Sequence, residues 1–391
     1  MSVMPVPALQ KCHSIADLRR LAQRRIPRVI FDYIDGGAED ETTLRRNSAD
    51  FAHWEFVPHP LVDVSKVNLA TRVQGSDIAL PLVLGPTGGT RLFHHEGELA
   101  VIRAAAQAGT VYALSSMSTH DIETVGAQTT SDKWFQIYVW KDRGVVRELI
   151  QRCRDSGYKA LCLTVDVQTS GLRERDLRNG LTLPPRFTPS ALFDMALHPR
   201  WWWSTLTTPR ITMANVVGKA GMGVNDATAL GKYAASQLDP SVTWDDMAWM
   251  LGEWGGPFVV KGMVSPGDAR RAVDLGASGV IISNHGGRQL DHMASTIGML
   301  PAIAEAVDGR GEIILDSGVR RGSDVVKALA LGATACMIGR SYLYGLAAGG
   351  EAGVTRALNL LREEIQRSMM LLGCPDIHQL NPSYLRRREQ P

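Results

Sequence analysis

Eight short apolar runs recur along the chain, and most end in a polar or glycine-containing turn. They are LPLVLGP (80–86), YALSS (112–116), WFQIYV (134–139), ALCLTVD (160–166), PFVVKGM (257–263), GVIISN (279–284), EIILDSG (312–318) and ACMIGR (335–340). Runs that are continuously apolar, without alternation, fit parallel strands buried on both faces. Helical patterns such as GELAVIRAAAQAG and DARRAVDLGASG lie between most of them. The alternation predicts an α/β fold, a (β/α)8 TIM barrel. The rival is an open doubly wound sheet. Eight regular units, and no G-x-G-x-x-G turn after the first strand, favour the barrel.

Three segments stand outside the repeat. Ser14-Ile15-Ala16-Asp17 reads as a capping box with Asp for Glu, followed by Ile15, Leu18, Leu21, Ala22 and Ile26 at helical spacing. Pro27 suits a first helical position, and Gly36-Gly37 stops the next helix. The expected layout is one domain over 1–391: an N-terminal helical segment (1–75), the barrel (76–375), and an insert (187–240) between strands four and five. The insert holds PPRFTPSALFDMALHPRWWWSTLTTPR and then a Gly/Ala-rich stretch. A βα loop of that length lies on the catalytic face of a barrel. Trp201, Trp202 and Trp203 cannot all face inward; the run reads as an interfacial anchor, against the alternative that one or two of the rings pack into the core.

Composition excludes several classes. Lys+Arg total 42 against Asp+Glu 40, a net charge of +2, so no basic excess drives nucleic-acid binding. The five cysteines (12, 153, 162, 336 and 374) contain no C-x-x-C, which argues against a disulfide framework or a zinc site. The proline-bearing amino terminus has no long apolar core, so a secretory signal is not expected. Ala328–Gly339, too short to span a membrane, reads as buried core. The expected location is the cytoplasm, with peripheral contact on the inner face of the cell membrane through the insert.

Barrel active sites gather at the carboxyl ends of strands. Reading those ends gives Thr87, Ser115, Gln136, Tyr138, Asp166, Lys261, His285, Asp316 and Arg340, with Arg173 and Arg288 shortly after two of them. His285 follows an apolar strand, is flanked by glycine and has an arginine three residues on. It reads as a general base, against the alternative of a strand-end histidine satisfied by hydrogen bonds. Asp166 could steady the imidazolium, or merely cap a helix. Two guanidinium groups on this face suggest an anionic substrate, although RERDLR alone also reads as a solvated charge run. Backbone N–H groups of Ser317, Gly318 and Gly339, with Arg340 and Arg320, suit a phosphate; tight turns that need glycine are the alternative. Lys261 in VVKGM suits a Schiff base or negative charge beside a cofactor. His94-His95-Glu96 is not a metal spacing on a helix, and no metal is assigned.

FDYIDGGAEDE (31–41), GPTGG (85–89), WFQIYV, LTVD…RERD…RNG (163–180), VVKG (259–262), SNHGGRQLD (283–291), DSGVRRGSDVVKALALGA (316–333) and GR…LYGLAAGGEAGV (339–354) resemble the FMN-dependent α-hydroxy acid dehydrogenase and oxidase family. The resemblance covers nearly the whole chain. GPTGG, RERDLRNG and the tail GCPDIHQL-PSYL are most similar to the (S)-mandelate dehydrogenases, and the Trp-bearing insert to the bacterial L-lactate dehydrogenases. It implies FMN as cofactor and an (S)-2-hydroxy acid as substrate. It implies a quinone or cytochrome as acceptor for a dehydrogenase, oxygen for an oxidase, and a homotetramer.

Carried over residue by residue, the resemblance makes His285 the base, paired with Asp166. Tyr33, Tyr138, Arg173 and Arg288 bind the substrate, with Gly88 beside it. Pro86, Thr87, Gly88, Ser115, Gln136 and Thr164 contact the flavin ring, with Ser283 a further cofactor contact. Lys261 lies near flavin N1 and O2. Asp316, Ser317, Gly318, Arg320, Gly339 and Arg340 hold the ribityl phosphate. Many family members have Ala at Gly88, so its lost methyl is expected to open room over the flavin for a larger substrate. Met117 stands where plant glycolate oxidases carry Trp. A barrel that binds a phosphorylated ligand without redox chemistry is the alternative from another class.

Overall fold

All eight apolar runs become parallel strands of one sheet in the computed structural model, which describes residues 6–182, 185–216, 233 and 236–388. In chain order they are β1 (Leu82–Leu84), β2 (Ala113–Ser115), β3 (Trp134–Ile137), β4 (Ala160–Thr164), β5 (Phe258–Met263), β6 (Gly279–Ile282), β7 (Glu312–Asp316) and β8 (Ala335–Ile338). Each pairs with its neighbour in sequence from β2 to β8, and β8 pairs with β1. A parallel bridge from Leu84 to Tyr112 closes the ring between β1 and β2. The doubly wound alternative is therefore excluded.

The absence of alternation has a direct cause: successive side chains point to opposite faces, and both faces are dry. Val83, Ala113, Trp134, Cys162, Val259 and Ile281 belong to one cluster, with Val73 and Ile78 of a hairpin (Thr71–Val73 with Ser76–Ile78). The intervening strand residues, such as Leu82, Leu84, Phe135, Leu161 and Val260, join a larger cluster with helix residues that include Val101, Val146 and Leu300.

The N-terminal helices fall where the capping signals put them. Ser14 Oγ accepts the amide of Asp17 at 3.2 Å and starts the helix Ile15–Gln23. Pro27 is the residue before the helix Arg28–Asp35 rather than its first residue, a difference of one position, and Gly36 ends it. The last helix, Arg340–Leu372, carries a break at Gly349-Gly350. Gly350 has φ +59°, and a Cβ there would lie 2.6 Å from His94 Cε1, so only glycine serves. Of the insert, two short helices are described, Pro189–Ala196 and Pro199–Thr207. Most of the Gly/Ala-rich stretch lies outside the described residues.

One carboxylate ties the N-terminal helices to the barrel. Asp35 accepts Arg19 Nε and Nη2 at 2.6 and 2.7 Å, Tyr344 OH at 2.8 Å and Arg175 Nη1 at 3.2 Å. Burial alone would raise its pKa, but the hydrogen bonds from Arg19 and Tyr344 outweigh it and hold the carboxyl at about 2, against an ordinary 3.8. The folded value is depressed, so the stability it contributes is complete above about pH 4 and lost as pH falls toward 2; it amounts to about 2 kcal/mol. We expect Asp35→Asn to lower stability by roughly that amount at pH 7. Urea unfolding at a series of pH values should show the gap to wild type narrowing below pH 4; a gap independent of pH would refute this account.

Candidate active site

His285 stands just beyond β6 with φ +56°, in the left-handed region that few non-glycine residues occupy. Neighbours hold it there. Its backbone N–H donates to Ser283 Oγ at 3.1 Å, and the next amide, Gly286 N–H, donates to Ser317 Oγ at 3.0 Å. Asn284 and Asn47 exchange two amide hydrogen bonds of 2.8 Å, which fasten the turn to the helix Thr42–Ala49. Such strain persists only where its surroundings over-determine it.

His285 Nδ1 lies 3.0 Å from Asp166 Oδ1, beyond the end of β4. An ionised carboxylate only accepts, so Nδ1 carries the proton and the lone pair of a neutral ring is at Nε2. Burial would raise the Asp166 pKa, but His285 and then Lys261 lower it further, so Asp166 stays ionised. Its other oxygen, Oδ2, is buried without a partner. Asp166 is thus the histidine's partner and not a helix cap.

Two arginines approach the same region. Arg288 Nη1 donates to the carbonyls of Tyr33 (2.7 Å) and Gly36 (3.1 Å), and its guanidinium lies 5.0 Å from the centre of the Tyr33 ring. Burial, and then repulsion from Arg173, lowers its pKa. Among the described residues Arg288 forms no salt bridge. Arg173 Nε donates to Asp176 at 2.9 Å. Asp176 received no role in the sequence reading, although its i, i+3 spacing from Arg173 at a helix start was a usable signal. Its own pKa is raised by burial, against the pull of Arg288 and Arg173. Tyr138 lies just past β3, and its hydroxyl is kept protonated by burial and by Asp166. Arg288 thus has backbone carbonyls but no carboxylate as its partners among the described residues.

Lys261, on β5, is buried. Its ammonium donates to Ser283 Oγ at 2.8 Å and lies 3.1 Å from Asp316 Oδ2. Burial opposes its charge, but Asp316 and Asp166 outweigh burial and raise the pKa. Ser283 is fully buried, and its hydroxyl donates to Asp316 at 2.6 Å while accepting Lys261 and His285 N–H. Asp316 is the counter-ion of Lys261, through its Oδ2.

The remaining strand ends fit FMN. Gln136 Oε1 accepts Ser115 Oγ at 2.9 Å, which leaves Gln136 Nε2 buried and unpartnered. Thr164 Oγ1 on β4 is likewise buried and unpartnered. With the third N–H of Lys261, β3, β4 and β5 present a row of unsatisfied polar groups, matched to the carbonyl and N–H edge of a flavin ring. Pro86, Thr87 and Gly88, partly exposed, follow β1. For the phosphate, Gly339 precedes the N-terminus of the helix Arg340–Leu372, and a Cβ on Gly339 would meet nothing within 4 Å. Arg340 spends three donors on the carbonyls of Ile34, Gly286 and Gly36 (2.8–2.9 Å). Arg320 Nη1 donates to Val319 O at 2.8 Å. Gly318 needs glycine for another reason: a Cβ there would lie 1.9 Å from Asn47 O. Ser317 likewise serves the His285 turn.

The room expected at Gly88 is bounded. A Cβ there would sit 3.2 Å from Met117 Cβ and 3.3 Å from Met117 O, so Met117 abuts the space that the missing methyl leaves. On the insert, Trp201 Nε1 donates to Leu92 O at 2.8 Å, while Trp203 is 63% exposed. Leu192, Phe193, Leu197, Trp202 and Leu206 are exposed with it. His94, His95 and Glu96, whose spacing argued against convergence, do bring their ligand atoms within 4.8 Å of one another. Arg103 pairs with Glu96, and burial, His95 and Arg25 push the His94 pKa down to about 4.

Known proteins resemble the chain over its length. A putative L-lactate dehydrogenase of Mycobacterium tuberculosis is 44% identical, covering 95% of this chain and 88% of that one. An L-lactate oxidase of Nostoc sp. is 42% identical, covering 95% and 97%. The crystal structure of the monotopic membrane protein (S)-mandelate dehydrogenase superposes with a TM-score of 0.92 at 40% identity, covering 97% of this chain and all of that one. The family model of FMN-dependent dehydrogenases matches residues 22–387, which removes the non-redox alternative. A TIM barrel with a row of unsatisfied groups at its strand ends, and this match over nearly every residue, make the chain a member of the FMN-dependent dehydrogenase family, enzymes that oxidise 2-hydroxy acids.

Proposed function

We propose that the enzyme oxidises an (S)-2-hydroxy acid to the 2-oxo acid, with His285 as base and Arg288 and Arg173 as carboxylate clamp. The observation that carries this reading is the His285–Asp166 pair on a face where a buried arginine lacks an anion. The substrate carboxylate supplies the missing charge, and a guanidinium fork binds it in a fixed orientation. Arg173 is shared between that carboxylate and Asp176. The protonated Tyr138 hydroxyl and Tyr33 complete the substrate pocket. His285 Nε2 takes one proton from the bound hydroxy acid, and Asp166 stabilises the imidazolium that results. Holding acid and base together in this way supplies part of the rate by orientation. FMN, when bound, would accept the two electrons and the second hydrogen, which leaves the 2-oxo acid. Gln136, Thr164, Lys261, Ser115, Pro86, Thr87 and Gly88 hold its ring, and Gly339, Gly318, Arg320 and Arg340 hold its phosphate.

The side chain of the substrate falls where Gly88 and Met117 meet. An unbranched, adaptable methionine there suits aromatic acids of the mandelate type, with L-lactate second. For the acceptor we favour a membrane quinone or cytochrome. The insert displays Phe193 (68% exposed), Trp203 (63%) and Leu206 (74%) on two short helices, a pattern that suits the interfacial region of a bilayer. Among the described residues no helix is long and apolar enough to cross one. The likeness to an L-lactate oxidase supports a second reading, in which oxygen is the acceptor.

Three experiments test these readings. Replacing His285 by Gln should slow flavin reduction by substrate about 10²–10⁴-fold while FMN remains bound; near-normal reduction would remove His285 from its role. Changing Phe193, Trp203 and Leu206 together to Ser should move the enzyme from the membrane to the soluble fraction with dye-linked activity retained, and wild-type enzyme found wholly soluble would refute the anchor. Stopped-flow bleaching of the flavin by a panel of (S)-2-hydroxy acids should be fastest with mandelate-like acids. Reoxidation in air should be slow for a dehydrogenase, and rapid reoxidation with hydrogen peroxide release would establish the oxidase.

A further inference from the structure

Tyr342 lies in the first turn of the helix Arg340–Leu372 and is wholly buried. No argument about substrate or cofactor pointed to it. Its hydroxyl lies 2.8 Å from the carbonyl oxygen of Gly85 and 2.7 Å from Thr87 Oγ1. A carbonyl only accepts, so the single proton of Tyr342 goes to Gly85, and the short contact with Thr87 requires Thr87 to be the donor. The Thr87 proton is thereby committed inward. What remains for the opposite, partly exposed side of Thr87 is lone pairs alone.

Thr87 lies between Pro86 and Gly88, in the segment assigned above to the flavin ring. We propose that Tyr342 is a positioning residue: its hydroxyl locks Thr87 as a hydrogen-bond acceptor toward FMN and so biases the redox equilibrium of the bound cofactor. The inference rests on the reading that the flavin ring contacts Thr87. A flavin ring gains an N–H on reduction. An acceptor-only neighbour therefore favours the reduced form, and a hydroxyl free to turn and donate does not. Tyr342→Phe removes the lock together with the hydrogen bond to Gly85 O. The ring keeps its edge-to-face contact with Tyr112, at 6.4 Å between centroids.

The midpoint potential of the FMN-loaded protein, measured by spectroelectrochemistry, tests this without reference to turnover. Tyr342→Phe should make the oxidised form about tenfold more favourable, a fall of about 30 mV for a two-electron couple. Thr87→Val should lower the potential as well, Thr87→Ser should leave it near wild type, and adding Y342F to T87V should change nothing further. An unchanged or raised potential in Y342F, alongside an effect of T87V, overturns the proposal. So does a full second shift in the double variant, because Tyr342 would then act by another route. Should T87V alter neither the potential nor the visible absorption of bound FMN, the placing of Thr87 against the ring is what fails. T87V probes the same hydrogen bond from its other end, so the proposal stays exposed even if Y342F does not fold.

Discussion

Closure of the barrel is the constraint from which the rest follows. Parallel pairing from β2 around to β1, sealed by the Leu84–Tyr112 bridge, brings the carboxyl ends of all eight strands to one rim. Residues more than a hundred positions apart, such as Asp166 and His285, meet there at 3.0 Å. The strands are satisfied by ladder hydrogen bonds and by apolar contact on both faces, so the polar residues just past each strand are free to serve chemistry.

The rim is organised by charge accounting. Lys261 has Asp316, His285 has Asp166 and Arg173 has Asp176, each at 3.1 Å or less. Arg288 alone among these cations is held by backbone carbonyls, in repulsion with Arg173. A buried cation without an anion costs free energy, which in the proposed reading an anionic substrate recovers on binding. The same logic reads the orphaned Gln136 Nε2 and Thr164 Oγ1 as places kept for a cofactor.

Much of this was legible in the sequence. The strands were visible because burial on both faces demands uninterrupted apolar runs, and their ends pointed to His285, Asp166 and Lys261. Other residues were not legible, because their roles depend on neighbours far away in the chain. Ser283 sits beside the histidine in SNHGG, yet its hydroxyl is consumed by Lys261, Asp316 and a backbone amide. Asp316 ends a strand in DSG, and only the fold shows that it is the counter-ion of Lys261. The room beside Gly88 looked open, and Met117, from the loop after β2, bounds it.

The periodicity of apolar residues, the glycines at chain reversals and the capping signals are local properties, and they determined the element types and their order by themselves. Only the tertiary structure decided which polar groups share a proton or a charge. Hydrogen bonds and ion pairs act over about 3 Å in space, and no spacing along a chain encodes a contact between helix and strand end such as Tyr342 to Thr87.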